Sequence, residues 1–221
     1  MKCAEITNLY DLDHTVAKPL LQKYTYPWEV LPHIGEFIVE LCKTLSPDEF
    51  DVVNGNVYVA KTAKVAPNAT LNGPAIICDG AELRTGAFIR GNVIIGKNCV
   101  AGNSCESKNA ILFDNVQVPH FNYVGDSVLG HRSHMGAGSI TSNVKSDKTL
   151  VKVKCGEEVI ETGLKKFGAM LGDCVEVGCN SVLNPGTVIG KNSNIYPLSS
   201  VRGVVPANSI FKTGGKIVEK F

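Results

Sequence analysis

The sequence predicts an all-β protein wound as a parallel β-helix, and two observations carry the prediction. The first is a period of six: Val59, Val65, Leu71, Ile77, Leu83, Ile89 and Ile95 follow one another at six-residue steps, each usually with a small residue four positions later. Neither a helix nor an ordinary strand has that period. Six residues make one short flat side of a solenoid, and three sides make a coil of about eighteen residues. The second observation is persistence, because the same phase returns in Leu129 and Met135 and again in Val177, Leu183, Ile189, Ile195 and Val201. The aliphatic residue points inward and the small one fits the corner.

Taken in order, residues 1–50 stand outside the sixes. Pro19 interrupts the mixed stretch from Glu5 to Tyr24, whereas Ile34, Phe37, Ile38, Leu41 and Leu45 are helically spaced and Pro47 closes the run. A helix over about 32–45 follows. It sits in a short N-terminal helical cap, since an open solenoid end exposes apolar core. The β-helix itself is expected over 51–206. Its sixes lapse between Glu106 and Phe121 and resume one residue short at Val124-Gly125-Asp126, and a broken repeat is where function is sought. A second interruption, at about 142–167, alternates through Leu150-Val151-Lys152-Val153-Lys154 before Gly156-Glu157-Glu158, which reads as a hairpin protruding from the solenoid. The tail, 207–221, leaves the sixes, with a turn at Gly214-Gly215.

Charge narrows the partners. The 22 basic and 21 acidic residues nearly cancel, so no footprint for nucleic acid or an anionic membrane is visible. No apolar run approaches the roughly 18 residues a bilayer span needs, and Met1-Lys2-Cys3-Ala4-Glu5 does not lead into a signal-peptide core. A soluble cytoplasmic protein is the expectation. Of the 8 cysteines, Cys99 and Cys105 fall at the small corner position and read as buried thiols. Cys174 and Cys179 lack a paired C-x-x-C, so no metal site is expected there.

Two stretches carry the chemistry: Val118-Pro119-His120-Phe121-Asn122-Tyr123-Val124-Gly125-Asp126, and Met135-Gly136-Ala137-Gly138-Ser139-Ile140-Thr141-Ser142-Asn143. They resemble the "H-L-T-Y-L-G-D" and "I-G-A-G-T-I-T-C-N-Y" motifs of the acetyltransferase domain in the bifunctional glucosamine-1-phosphate acetyltransferase/N-acetylglucosamine-1-phosphate uridyltransferases. Upstream, Leu83-Arg84-Thr85-Gly86-Ala87 and Gly102-Asn103-x-x-Glu106-x-Lys108 are similar to that family's "L-R-P-G-A" and "G-N-x-x-E-x-K". Tyr26-Pro27-Trp28-Glu29-Val30-Leu31 resembles the link joining the two domains of such enzymes.

The resemblance, which covers about residues 55–210, implies a left-handed β-helix of hexapeptide repeats. It also implies transfer of an acetyl group from acetyl-CoA to an amino-sugar phosphate, and a homotrimer with the cofactor between neighbouring solenoids. Residue by residue, His120 takes the general base, Arg84 and Lys108 the sugar phosphate, Tyr123 and Asn143 the sugar, and Lys148 lies near a further substrate lysine. Ala137, Cys179 and Pro197 would line acetyl-CoA, with Lys212 near its 3′-phosphate. The roles suit the residue types: a histidine serves as a base near neutral pH, and an Arg–Lys pair suits a phosphate. Residues 1–50 are too short for the family's nucleotidyltransferase domain, so uridyltransferase activity is not expected. Two departures leave the sugar and the acyl group open: Val144 replaces the family's Tyr, and His134 its Asn.

Two other readings compete. A carbonic-anhydrase-like metalloenzyme would use His120, His131 and His134, but residues three apart on a flat strand face opposite ways. A non-catalytic assembly module would keep the sixes without needing the His120 motif.

Overall fold

The computed structural model describes residues 1–220. Its body is a β-helix whose three walls are parallel ladders of two- to four-residue strands, apart from two seven-residue strands that run around a corner. The first wall runs from Val57–Ala60 to Val204–Val205, the second from Lys64–Val65 to Ser209–Phe211, and the third from Thr70–Leu71 to Ser200–Val201. The residues at six-residue spacing are its interior: Ile77, Leu83, Ile89, Ile95, Leu129, Met135, Val177, Leu183, Ile189 and Val201 are all buried. Cys99 and Cys105 are buried at their corners, where their thiols donate to Phe113 O (2.9 Å) and Val118 O (3.0 Å).

The first wall differs from the others in being covered on its outer side. Tyr58, Ile76, Ile94, Ile111, Val128, Met170, Val188 and Val204 pair in register into one outward column. An apolar column of that length demands a cover. The N-terminal segment supplies it. An α-helix, Ile34–Cys42, lies against strands of this wall, preceded by a 3-10 stretch, Pro27–His33. The helix ends earlier than 45 because the chain tightens into i→i+3 bonds, with Thr44 donating to Leu41 O (3.0 Å) and Leu45 to Cys42 O (3.3 Å). The cap therefore lies along the solenoid's side, where the expectation was a lid over its first coil.

The excursion is a hairpin, Lys152–Cys155 antiparallel to Glu158–Glu161. Val151 and Val153 are buried against the chain's own coils. Two glycines make that approach possible. A Cβ on Gly186 (φ +83) would meet Lys152 O at 2.7 Å, and one on Gly203 (φ +74) would meet Lys154 O at 2.7 Å. At the base of the excursion Phe167 N–H donates to Asn143 O (2.9 Å), and its ring stacks on Trp28 with centroids 5.5 Å apart.

The expected end of the solenoid at 206 is passed. Ser209–Phe211 pairs parallel with Asn194–Ile195, and Ile217–Glu219 then returns antiparallel to it, so Lys212 sits in a closing turn. Phe221, the last residue of the expected tail, lies outside the described residues. No helix among the described residues is long and apolar enough to cross a membrane.

Candidate functional site

The site begins where the repeat is one residue short. Ile76 pairs Ile94 eighteen residues on, but Ile94 pairs Ile111, and Ile111 pairs Val128, after seventeen. The missing residue is lost at the corner between the third and first walls, where Glu106–Leu112 and Tyr123–Leu129 each run on as one bent strand. Asn109 and Asp126 turn that corner, both at φ 49. Short polar side chains tolerate this left-handed conformation.

Shortening the coils stacks three polar residues. Asn109 Nδ2 donates to Asp126 Oδ1 (2.9 Å) and to Leu31 O (3.2 Å), while Asn143 Nδ2 donates to Asp126 Oδ2 (2.5 Å). Lys108 Nζ lies 3.8 Å from Asp126 Oδ2. Asp126 is only 3% exposed, so these groups replace the water its carboxylate gives up. Asn143 Nδ2 also donates to Tyr123 Oη (3.1 Å), leaving the Tyr123 hydroxyl hydrogen free for a ligand. Burial, with the Asp126 carboxylate beside it, pushes the Tyr123 phenol above its ordinary range. The ring lies over Gly125, whose absent Cβ would sit 2.4 Å from Tyr123 Oη. Lys108, Tyr123 and Asn143, singled out in the sequence, are thus brought together, and Asp126 organises them. Its signal was present within the Tyr123-x-Gly125-Asp126 motif.

A second assembly follows the corner between the second and third walls. His120 pairs Asn103, Gly138 N–H donates to His120 O (3.0 Å), Asn180 N–H to Ala137 O (2.9 Å) and Leu198 N–H to Cys179 O (2.9 Å). These bonds align His120, Ala137, Cys179 and Pro197 in one row, with successive members one coil apart at about 4.8 Å. The His120 ring is exposed and has no hydrogen-bond partner among the described residues, while its backbone N–H is held by Asn122 Oδ1 (3.1 Å). Asn122, 2% exposed, also donates to Gly136 O (2.8 Å) and Ser139 O (3.1 Å), which pins the two motifs together. The Ala137 N–H lies in a turn and makes no bond within the chain among the described residues. Cys179 and Pro197 line an open groove of about 490 Å³ that continues to Tyr196 and Ile210. Lys212 follows Phe211 at the end of the same wall.

Other expected residues lie apart. Arg84 stands on the second wall, with Nε on Glu82 (2.8 Å), in an open groove of about 540 Å³ with Lys64 and Asn103. Lys108 is at the far corner of the third wall, so one chain does not bring this pair together. Lys148, at φ 56, is exposed in the turn after Lys145. The three histidines also have separate surroundings: His131 stacks on His14 (3.7 Å), and His134 Nδ1 lies 2.8 Å from Glu176. No group of three or more His, Cys, Asp or Glu among the described residues is placed to hold a metal ion.

The chain is similar to the bifunctional protein GlmU of Methanococcus maripaludis, 36% identical over 172 residues, which are 77% of this chain and 42% of that protein. It is also similar to the bifunctional sugar-1-phosphate nucleotidylyltransferase/acetyltransferase of Sulfurisphaera tokodaii, 35% identical over 105 residues, 48% of this chain and 26% of the relative. The chain therefore spans less than half the length of these relatives. Among solved structures it is similar to GDP-perosamine N-acetyl transferase of Caulobacter crescentus, with 16% identity over 92% of this chain and 74% of the other, and a TM-score of 0.33. A second is AntD, an N-acyltransferase from Bacillus cereus, with 15% identity over 75% and 80% and a TM-score of 0.39. The family model described as the GMPPB C-terminal domain matches residues 53–175. That span is more than half of the chain, and the chain belongs to the family of the GMPPB C-terminal domain.

Proposed function

We propose that the chain is an acetyl-CoA-dependent acyltransferase that acetylates an amino-sugar phosphate, working as a homotrimer. The observation that carries this reading is the single corner row joining His120, Ala137, Cys179 and Pro197, with an imidazole and a backbone N–H one coil apart that have no hydrogen-bond partner among the described residues. An acyl transfer needs both. The acceptor amine attacks the thioester carbonyl, His120 removes its proton, and the Ala137 N–H faces the oxygen on which negative charge develops. Collapse of the tetrahedral intermediate releases coenzyme A, whose thiolate takes up a proton.

The sugar is assigned to Tyr123 and Asn143 across the third wall, and its phosphate to Lys108. Arg84, on a different wall, is assigned to the phosphate of a neighbouring subunit's site. Coverage of the first wall alone supports that geometry, since the second and third walls remain bare for neighbours. Lys148 is assigned to the acceptor, and Lys212 to the 3′-phosphate of the coenzyme. The relative from Sulfurisphaera tokodaii is named as acting on a sugar 1-phosphate and as an acetyltransferase, which fits.

The test is a panel of amino-sugar 1-phosphates incubated with acetyl-CoA while free thiol is followed. Thiol release that depends on one acceptor supports the reading. Absence of release with every acceptor sinks it.

A further inference from the structure

Between the hairpin and the last coils lies a groove of about 520 Å³ that the acyl-transfer reading does not use. Its charged lining is wholly basic: Lys145, Lys152, Lys154 and Arg202, with Gly156 and Gly203 among the uncharged residues. The whole chain carries a net charge of only +1, so four cations around one opening are not a by-product of a basic protein. Lys145 is neutralised by Asp147 (3.2 Å) and Lys152 by Glu161 (2.5 Å). Lys154 and Arg202 have no ion pair among the described residues and are exposed. The groove thus keeps a net excess of two cations, one a guanidinium fork and one a point charge, which together match adjacent phosphates.

The groove is also well placed. The glycine notches at Gly186 and Gly203 hold the Lys152–Cys155 strand directly against the coil corner that carries Arg202. Thr141 pairs Leu183, and Leu183 pairs Val201, so Arg202 stands two coils beyond Ser142, the residue beside Asn143. At about 4.8 Å per coil the separation is roughly 10 Å. A ligand with its diphosphate in the groove would reach the Tyr123–Asn143 pair with a sugar.

We propose that this groove binds the diphosphate of a nucleotide-type ligand, Arg202 and Lys154 supplying its charge. Only the reach to Tyr123 and Asn143 rests on the acyltransferase reading; binding in the groove does not. Both a nucleoside diphosphate and coenzyme A carry a diphosphate, so both enter the test.

The experiment is calorimetric titration of the full chain with inorganic pyrophosphate, UDP and coenzyme A, without acyl transfer. It is repeated on Arg202→Ala, Lys154→Ala and Lys97→Ala, the last an exposed lysine at the corner between the first and second walls. Each groove variant should weaken pyrophosphate and UDP binding about tenfold or more, the size of a lost charge-assisted hydrogen bond, with Lys97→Ala unchanged. Coenzyme A binding unchanged in the same variants assigns the groove to a nucleoside diphosphate, and a parallel loss assigns it to the coenzyme's own diphosphate. The proposal is overturned by no detectable binding of either pyrophosphate or UDP, or by equal losses in Lys97→Ala. It is also overturned if Arg202→Ala and Lys154→Ala both bind like the wild type. Thiol release measured separately on the same variants keeps a failure of acyl transfer distinct from a failure of the groove.

Discussion

At the scale of single residues, Asp126 decides how the site is held. Replacing it with Ala leaves the half-buried Asn109 and Asn143 amides without their shared acceptor, a cost of about 1 kcal/mol for each group so stranded, the low end of the range for buried groups. Thermal unfolding should show Asp126→Ala melting several degrees lower, since about 1 kcal/mol corresponds to roughly 2–4 °C in a chain of this size. Gly125→Ala should behave differently. Its new Cβ lifts the Tyr123 ring at the surface, so the expected outcome is a raised KM for the acceptor with a melting temperature close to wild type. An unchanged KM with a lowered melting temperature would argue that Tyr123 only packs. The residues of this cluster were legible because they lie in motifs. The ladder joining Asn109, Asp126 and Asn143 was also written in the sequence, as three short polar residues seventeen apart. A search in steps of six passes over it, because a corner residue belongs to neither flanking side.

At the scale of elements, the sixes specify every wall but do not reveal which wall is covered. That information lies in the residue before the repeated aliphatic one. Ile76-Ile77, Ile94-Ile95, Ile111-Leu112, Val128-Leu129, Met170-Leu171 and Val188-Ile189 form an unbroken series of apolar doublets on the first wall, with the inward and the outward member both buried, whereas Phe88-Ile89 and Val182-Leu183 on the third wall are isolated and leave the outer member half-buried. Read this way, the N-terminal segment belongs on the side. The hairpin's docking is likewise set by glycines that a period does not flag. Gly203→Ala combines a left-handed φ with a Cβ 2.7 Å from Lys154 O, so it should cost about 1–2 kcal/mol and release the hairpin. Hydrogen exchange should then accelerate across 151–161 while the solenoid strands stay protected.

The contact between cap and coils at His131 should respond to pH. Its ring stacks on His14, its Nδ1 is buried without a partner among the described residues, and burial, with His14 and Arg132 nearby, pushes its pKa below the ordinary histidine range against the opposing pull of Asp114 and Asp173. The native state then binds fewer protons than the unfolded chain below the unfolded value of about 6.5, so stability rises with pH through that window and is lost as pH falls. His131→Phe, which keeps the stack, should flatten the dependence of melting temperature on pH between about 5 and 7. An unchanged slope would mean another group titrates.

At the scale of the whole molecule, the covered first wall and the bare second and third walls favour an assembly in which solenoids face each other across their open sides. Light scattering at micromolar concentration should report three copies, and a monomer would leave Arg84 with no phosphate to meet. The sequence could not place Arg84 relative to Lys108, because a solenoid period gives the wall of each residue only once every corner is counted. The acyltransferase account is tested most directly by turnover of His120→Ala. With the acceptor that supports thiol release in the wild type, the variant should lose about 10²–10⁴-fold in kcat with KM nearly unchanged, the usual contribution of a general base. Wild-type turnover in His120→Ala would contradict it.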